Sequence, residues 1–332
     1  MRRWTVALGV VAALLWGCQR AARVEQAWEA ADAAYEAAAT GEEKVAVLEK
    51  FLDRYPDTPH TADAVESVVY HLAEEAERPA EADAFIVARL ARIRNPERRR
   101  EVAFQRLALL ARLERRDELR KLAEELSLGR ALTYREAMAI GDAASRAGEW
   151  ELALRGYTDA QPYASEDAVR AENAGTGMSD ERMIRTAQRR ISAVLTGLGW
   201  AEANLGRLDQ ALQHFALARR FDHGRFLGNT NSKLGTLQGR TLLLAGRLEQ
   251  AMQVLAPEAL FGDSEEAVQA LREAYVSSRG SAEGFDAFLE AERQRLARPA
   301  VDFTLPDYQG VPHTFSALRN GEVALLTFWF PT

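Results

Sequence analysis

GDAASRAGEWELALRGYTDA, residues Gly141 to Ala160, decides the fold. Its marker positions are Gly141, Gly148, Trp150, Ala153, Tyr157 and Ala160. They return 58 residues on as Gly199, Gly206, Leu208, Ala211, Phe215 and Ala218. A further 40 residues on they return as Gly239, Gly246, Leu248, Ala251 and Leu255, fading at Glu258. Gly148, Gly206 and Gly246 fall where a helix must end and the chain reverse, a place that favours a residue tolerant of positive φ. Gly141, Gly199 and Gly239, with Ala153, Ala211 and Ala251, are small enough for paired helices to approach closely. Trp150, Tyr157, Leu208 and Phe215 then fill the space between units. Five spaced positions recurring three times argue against an unrelated helical bundle.

Around these units, from Val24 to Arg298, apolar residues recur at three- and four-residue spacing, as amphipathic helices require. Tyr55-Pro56-Asp57-Thr58-Pro59 is a break, with Thr58 expected as N-cap and Pro59 at the first helical position. Thr133 and Glu136 form a capping box for the next clear helix. Ala27 to Leu72 reads as a degenerate helical pair of the same kind. Residues 80 to 130 are helical with no register assigned. Ala164 to Asp180, containing Asn173-Ala174-Gly175-Thr176-Gly177, reads as an inserted loop. The pattern resembles the tetratricopeptide repeat, a helix–turn–helix unit of ~34 residues, with extra residues between units. The resemblance implies a mainly α solenoid over residues 24–298 that binds proteins or peptides along one face.

Composition narrows the functions. The formal charge of −7 gives no basis for nucleic-acid binding. Arg98-Arg99-Arg100, beside Glu97 and Glu101, reads as a solvated helix face. A single cysteine, Cys18, excludes an internal disulfide and any cysteine-based metal site. His60, His71, His214, His223 and His313 lack metal-ligand spacing and read as scattered surface or partly buried side chains. Adjacent helix residues point in different directions, so Glu42-Glu43, Glu74-Glu75 and Glu265-Glu266 read as solvated surface. No catalytic, cofactor-binding or metal-binding residue is expected, and no cofactor.

Arg2 and Arg3 precede an apolar run from Trp4 to Gly17, shorter than the ~20 residues of a spanning helix and sized as a signal-peptide core. Leu15-Trp16-Gly17-Cys18 resembles the lipobox of bacterial lipoproteins. The resemblance implies a signal peptide over 1–17, lipidation at Cys18, and a linker over 18–23. It implies a bacterial cell-envelope protein facing the periplasm, with the membrane as a partner through its acyl chains.

At Pro299 the character changes. Val301 to Leu305 alternates like a strand, Asp307 to Gly310 is a turn, and Val311 to Phe315 pairs back as a hairpin. Ser316 is the expected cap of a short helical turn through Leu318. Val323 to Phe330 is an apolar run suited to a central strand. Together Asp302-Phe303-Thr304-Leu305-Pro306-Asp307, Gly310, Ser316-Ala317-Leu318, Gly321-Glu322-Val323, Leu326 and Phe328-Trp329 resemble the opening of the AhpC/TSA–redoxin group. The closest likeness is to membrane-tethered thiol–disulfide oxidoreductases of the TlpA type. That resemblance implies that 299–332 begins a thioredoxin-like domain whose Cys-x-x-Cys centre would follow Thr332. A selenocysteine encoded by UGA at that place would end an ordinary reading there. The 332 residues are then expected to be inactive, with the enzymatic role belonging to a longer form. Residues 299–332 alone are expected to fold poorly or to pack opportunistically on the solenoid. Two alternatives stand beside the oxidoreductase: a non-enzymatic scaffold lipoprotein and a peroxiredoxin-like antioxidant protein.

Overall fold

The computed structural model describes residues 21–222, 233–262, 264–297 and 301–319. Residues 1–17, read as a signal peptide, together with Cys18 and the run from Val323 to Phe330, lie outside them. The described chain is a helical repeat-like all-α array closed by a short antiparallel strand pair, compatible with a tetratricopeptide-like solenoid. Helix is already present at residue 21, inside the stretch read as a linker.

The first half comprises α1 (21–37), α2 (Gly41–Arg54), α3 (Thr61–Tyr70), α4 (Pro79–Leu90), α5 (Pro96–Arg112) and α6 (Arg116–Ser127). A π-helical turn, His71–Glu75, extends α3. Next come α7 (Tyr134–Ala147), α8 (Trp150–Ala160), α9 (Glu166–Glu172), α10 (Asp180–Asn204) and α11 (Leu208–Ala218). The last are α12 (Leu234–Leu244), α13 (Leu248–Phe261), α14 (Glu265–Arg279) and α15 (Phe285–Leu296). Partners such as α7 with α8, α10 with α11 and α12 with α13 pack directly. First helices also touch the first helix of the next pair: α5 meets α7, α7 meets α10, and α10 meets α12.

The repeated turn explains the period. Gly148 ends α7 at φ 76°, and the Glu149 N–H reaches back 2.9 Å to the Ala144 carbonyl. This is the Schellman closure, in which a left-handed residue satisfies carbonyls left open at the helix end. The Arg207 N–H to Glu202 carbonyl and the Arg247 N–H to Leu242 carbonyl bonds repeat it, both at 2.9 Å.

The same closure also supplies the register that sequence left unassigned over 80–130. Between α5 and α6 the Arg115 N–H bonds the Leu110 carbonyl at 2.9 Å, and Glu114 takes the left-handed place at φ 57°. With Glu114 aligned on Gly148, Leu107, Leu119, Ala123 and Leu126 fall at the positions of Gly141, Ala153, Tyr157 and Ala160. Large and small have changed places. Leu107 and Ala123 occupy the facing positions that Gly141 and Tyr157 occupy one unit later, and both are buried. Total volume across the helix pair is what close packing conserves.

Several expectations are corrected. Helix α3 starts at Thr61 after His60, with no side-chain cap. The Thr58 N–H instead donates to Thr61 Oγ1 at 2.9 Å, so Thr58 sits inside a turn rather than at the cap. The capping box at Thr133 and Glu136 is present. The insertion is no plain loop, since α9 forms within it with Ser165 as N-cap. Arg190 of α10 binds Glu172 at 2.6 Å, and Arg170 binds Asp180 at 2.5 Å, tying the insertion down. The arginine run is not simply solvated. Arg98 pairs with Asp57, and Arg100 pairs with Glu136 at 2.9 Å, each linking one helical unit to another. His71 is buried rather than superficial, between the Tyr35 hydroxyl at 2.9 Å and Glu75 at 2.7 Å. That makes Glu75 a structural partner rather than bare surface.

In the tail, β1 (Thr304–Pro306) pairs with β2 (Pro312–Thr314) through Thr304↔Thr314, Leu305↔His313 and Pro306↔Pro312. The short helix α16 (Phe315–Arg319) follows at once. Its cap is Asp302 rather than Ser316, because the Asp302 carboxylate accepts from the Ser316 N–H at 2.9 Å and hydroxyl at 2.6 Å. Residues 301–319 are thus locally ordered, with Phe303 and Phe315 stacked at 5.1 Å, although Val301, Leu305 and Tyr308 remain exposed.

Candidate functional site

First helices of three successive units, α7, α10 and α12, line a groove of about 680 Å³. This is within the ~300–1,000 Å³ typical of ligand sites. The groove exists because of how Tyr157 is seated. Its ring crosses from α8 between two glycines, Gly141 on α7 and Gly197 on α10. A Cβ on Gly141 would lie 2.7 Å from the ring, and one on Gly197 2.5 Å from it. With no Cβ at either position, α7 and α10 close onto the Tyr157 ring, and its hydroxyl donates to Asp142 Oδ1 at 2.9 Å at the groove. The Gly141–Tyr157 relation was legible from the repeat. Gly197 lies off the repeated marker positions.

Asp142 is the most perturbed acid in the groove. The surrounding walls push its pKa up, opposed by the Tyr157 hydrogen bond and by the charges of Lys233 and Arg146. Solvent still reaches the carboxyl along the groove. The Tyr157 hydroxyl is held protonated by burial, then by the adjacent Asp142. A neutral tyrosine that donates to a carboxylate is a positioning element; it is not poised as a base.

Above this floor the walls divide by chemistry. Met138, Trp200, Phe221 and Leu237 supply apolar surface. Trp200 is fixed edge-on against Trp150 of α8 at 6.1 Å between centroids, with the Arg240 guanidinium 5.2 Å from its ring centre. Cations come from each helix: Arg146 on α7, Arg189 on α10, Arg240 on α12, and Lys233 at its N-cap. Against them stand Asp142 and Glu266, the latter paired with Arg240. Aromatic surface, hydroxyls and cations on one groove suit binding.

Cys18, the one site residue the sequence points to, lies outside the described residues. Of the groove lining, the sequence marks Tyr157, as a packing residue, and Glu266, as solvated surface, and none as a site. The available signal was the spacing of Met138, Asp142 and Ser145–Arg146, or of Arg189, Ala193, Thr196 and Trp200, each recurring on one helix face. Among the described residues no cluster fit for a metal ion occurs, and no helix is long and apolar enough to cross a membrane. No protein-family model matches the chain, and no curated protein shows significant sequence similarity to it.

Proposed function

We propose that this chain is a binding scaffold of the tetratricopeptide type, taking a peptide segment of a partner protein in the groove between α7, α10 and α12. The observation that carries this is the alignment of three first helices around one continuous cavity, with the Tyr157 ring as its floor. The scaffold is an envelope lipoprotein, held at the membrane through acyl chains on Cys18 and facing the periplasm. The test is selection of displayed peptides on the immobilised full chain, repeated with Ala193→Trp, which fills the groove from α10. Selected peptides should lose binding to Ala193→Trp; retention refutes the groove. Labelling with radioactive palmitate, abolished by Cys18→Ser, tests the anchor, and an unlabelled parent chain refutes it.

A second reading concerns the tail. The order hairpin then helical turn, with Asp302 tying both ends of the segment together, favours the opening of a redoxin-like domain. In that reading a longer product is a thiol–disulfide oxidoreductase, selenocysteine-containing where UGA encodes the first reactive position, and the solenoid delivers its substrates. The nucleotides beyond codon 332 test it: absence of an in-frame cysteine or UGA followed by cysteine removes the reading.

A further inference from the structure

We propose that Tyr35, His71 and Glu75 form a second chemical site, in which the Tyr35 oxygen takes up an acyl group from an activated ester. The site lies in the first helical units, apart from the groove, and is independent of what the groove binds.

The three side chains stand in a row. The Tyr35 hydroxyl, on α1, is 2.9 Å from His71 Nε2, and His71 Nδ1 is 2.7 Å from Glu75 Oε2. A carboxylate only accepts hydrogen bonds. Nδ1 of the neutral ring therefore carries the proton, and Nε2 is left to accept from the phenol. A hydroxyl held against a base that a third group orients is the arrangement that activates nucleophiles.

Local structure is built around this row. His71 and Glu75 belong to the π-helical turn after α3, closed by the Ala76 N–H on the His71 carbonyl at 3.0 Å. Such turns are frequent at functional sites. Residue 41, in the first turn of α2, leaves the room for the His71–Glu75 bond. A Cβ there would lie 2.6 Å from Glu75 Oε2 and 3.3 Å from His71 Nδ1. The His71 side chain is 4% exposed and held in place by packing, whereas Tyr35 is only partly covered. The Lys44 ammonium lies 4.8 Å from the Tyr35 ring centre, a cation beside the place where negative charge develops on an acyl oxygen.

The step balances with no change of oxidation state. The Tyr35 O–H bond breaks and its proton moves to His71 Nε2. The oxygen bonds the acyl carbon, and the ester C–O bond breaks, its electron pair leaving with the departing oxygen. The imidazolium, stabilised by Glu75, then gives its proton to water.

The experiment treats the full chain with p-nitrophenyl acetate and follows O-acetylation by mass spectrometry of tryptic peptides. Residues 24–44 form one such peptide, in which Tyr35 is the single tyrosine. Tyr308, 96% exposed, is the internal control for simple accessibility. Tyr35 should acetylate at least ~10-fold faster than Tyr308, since a positioned base contributes ~100-fold or more. His71→Gln should slow Tyr35 by ~10-fold or more relative to Tyr308. A purely structural bond predicts the opposite sign, because a freed Tyr35 is more accessible and labels faster. Gly41 has no positive φ, so Gly41→Ala fits the backbone while pushing the half-exposed Glu75 carboxylate aside. It should slow Tyr35 by ~3-fold or more at an unchanged circular-dichroism spectrum, and it decides the outcome where His71→Gln does not fold. Labelling of Tyr308 as fast as Tyr35 in the parent chain, or undiminished labelling of Tyr35 in either folded variant, overturns the proposal.

Discussion

Gly156→Ala sets two physical effects against each other. Gly156 lies within α8, where alanine is favoured over glycine by ~1 kcal/mol. Helix propensity alone therefore predicts stabilisation. Packing predicts the reverse. The new Cβ would lie 2.5 Å from the Gly141 nitrogen, 2.8 Å from its Cα and 3.0 Å from the Ala137 carbonyl oxygen. All three are backbone atoms of α7, so no side chain can swing aside. The helices must separate by roughly 1 Å to restore ordinary contact, a gap that forfeits up to about half of each affected dispersion well. Overpacking of this kind costs ~1–3 kcal/mol. The expected net change is destabilisation by about 1 kcal/mol, and it should loosen the Tyr157 seat between Gly141 and Gly197. Urea unfolding followed by circular dichroism reads it as a lower midpoint at unchanged slope. A variant as stable as the parent, or more so, would show that α7 and α8 separate at negligible cost and that backbone contact does not hold the unit together.

Other expectations follow from the same structure. Glu114→Gly should stabilise by ~1 kcal/mol, since the left-handed turn penalises a side chain that is exposed here; a lower unfolding midpoint would refute it. Asp83 is buried and accepts from Arg106 at 2.5 Å and from Arg115, so Asp83→Ala should cost ~2 kcal/mol at neutral pH, and an unchanged midpoint would count against that tie. Burial opposes ionisation of Asp83, but Arg106 and then Arg115 outweigh it and hold its carboxyl below the usual range. A lowered folded value means the unfolded chain binds the proton more readily. The Asp83 contribution is therefore complete above the ordinary carboxylate pKa of ~4 and is lost as pH falls through the depressed value. Asp83→Ala should flatten the acid limb of a stability–pH curve, and an unaltered limb would refute the assignment.

What the sequence determined here is local. Apolar spacing, the Thr133–Glu136 capping box, and glycines at 148, 206 and 246 act within a turn or two of chain, so the helical pairs and their reversals were readable. The hairpin at 304–314 was readable for the same reason, as its turn chemistry lies between its own strands. Where signals competed, the outcome differed: the Thr58 N–H is taken by the Thr61 hydroxyl and α3 begins without a side-chain cap, while Asp302 rather than Ser316 holds the start of α16. The unit at α5–α6 escaped notice because glutamate replaced glycine at its turn, and leucine and alanine exchanged places across its interior. Only tertiary structure decided the groove. Asp142, Trp200 and Lys233 are widely separated in sequence and meet because first helices stack on first helices. The same holds for Arg98 with Asp57 and Arg100 with Glu136, whose charges look merely solvated until the next unit is laid against them. Periodicity fixes which face of a helix turns inward, while the identity of the neighbour that face meets is settled only when the units pack.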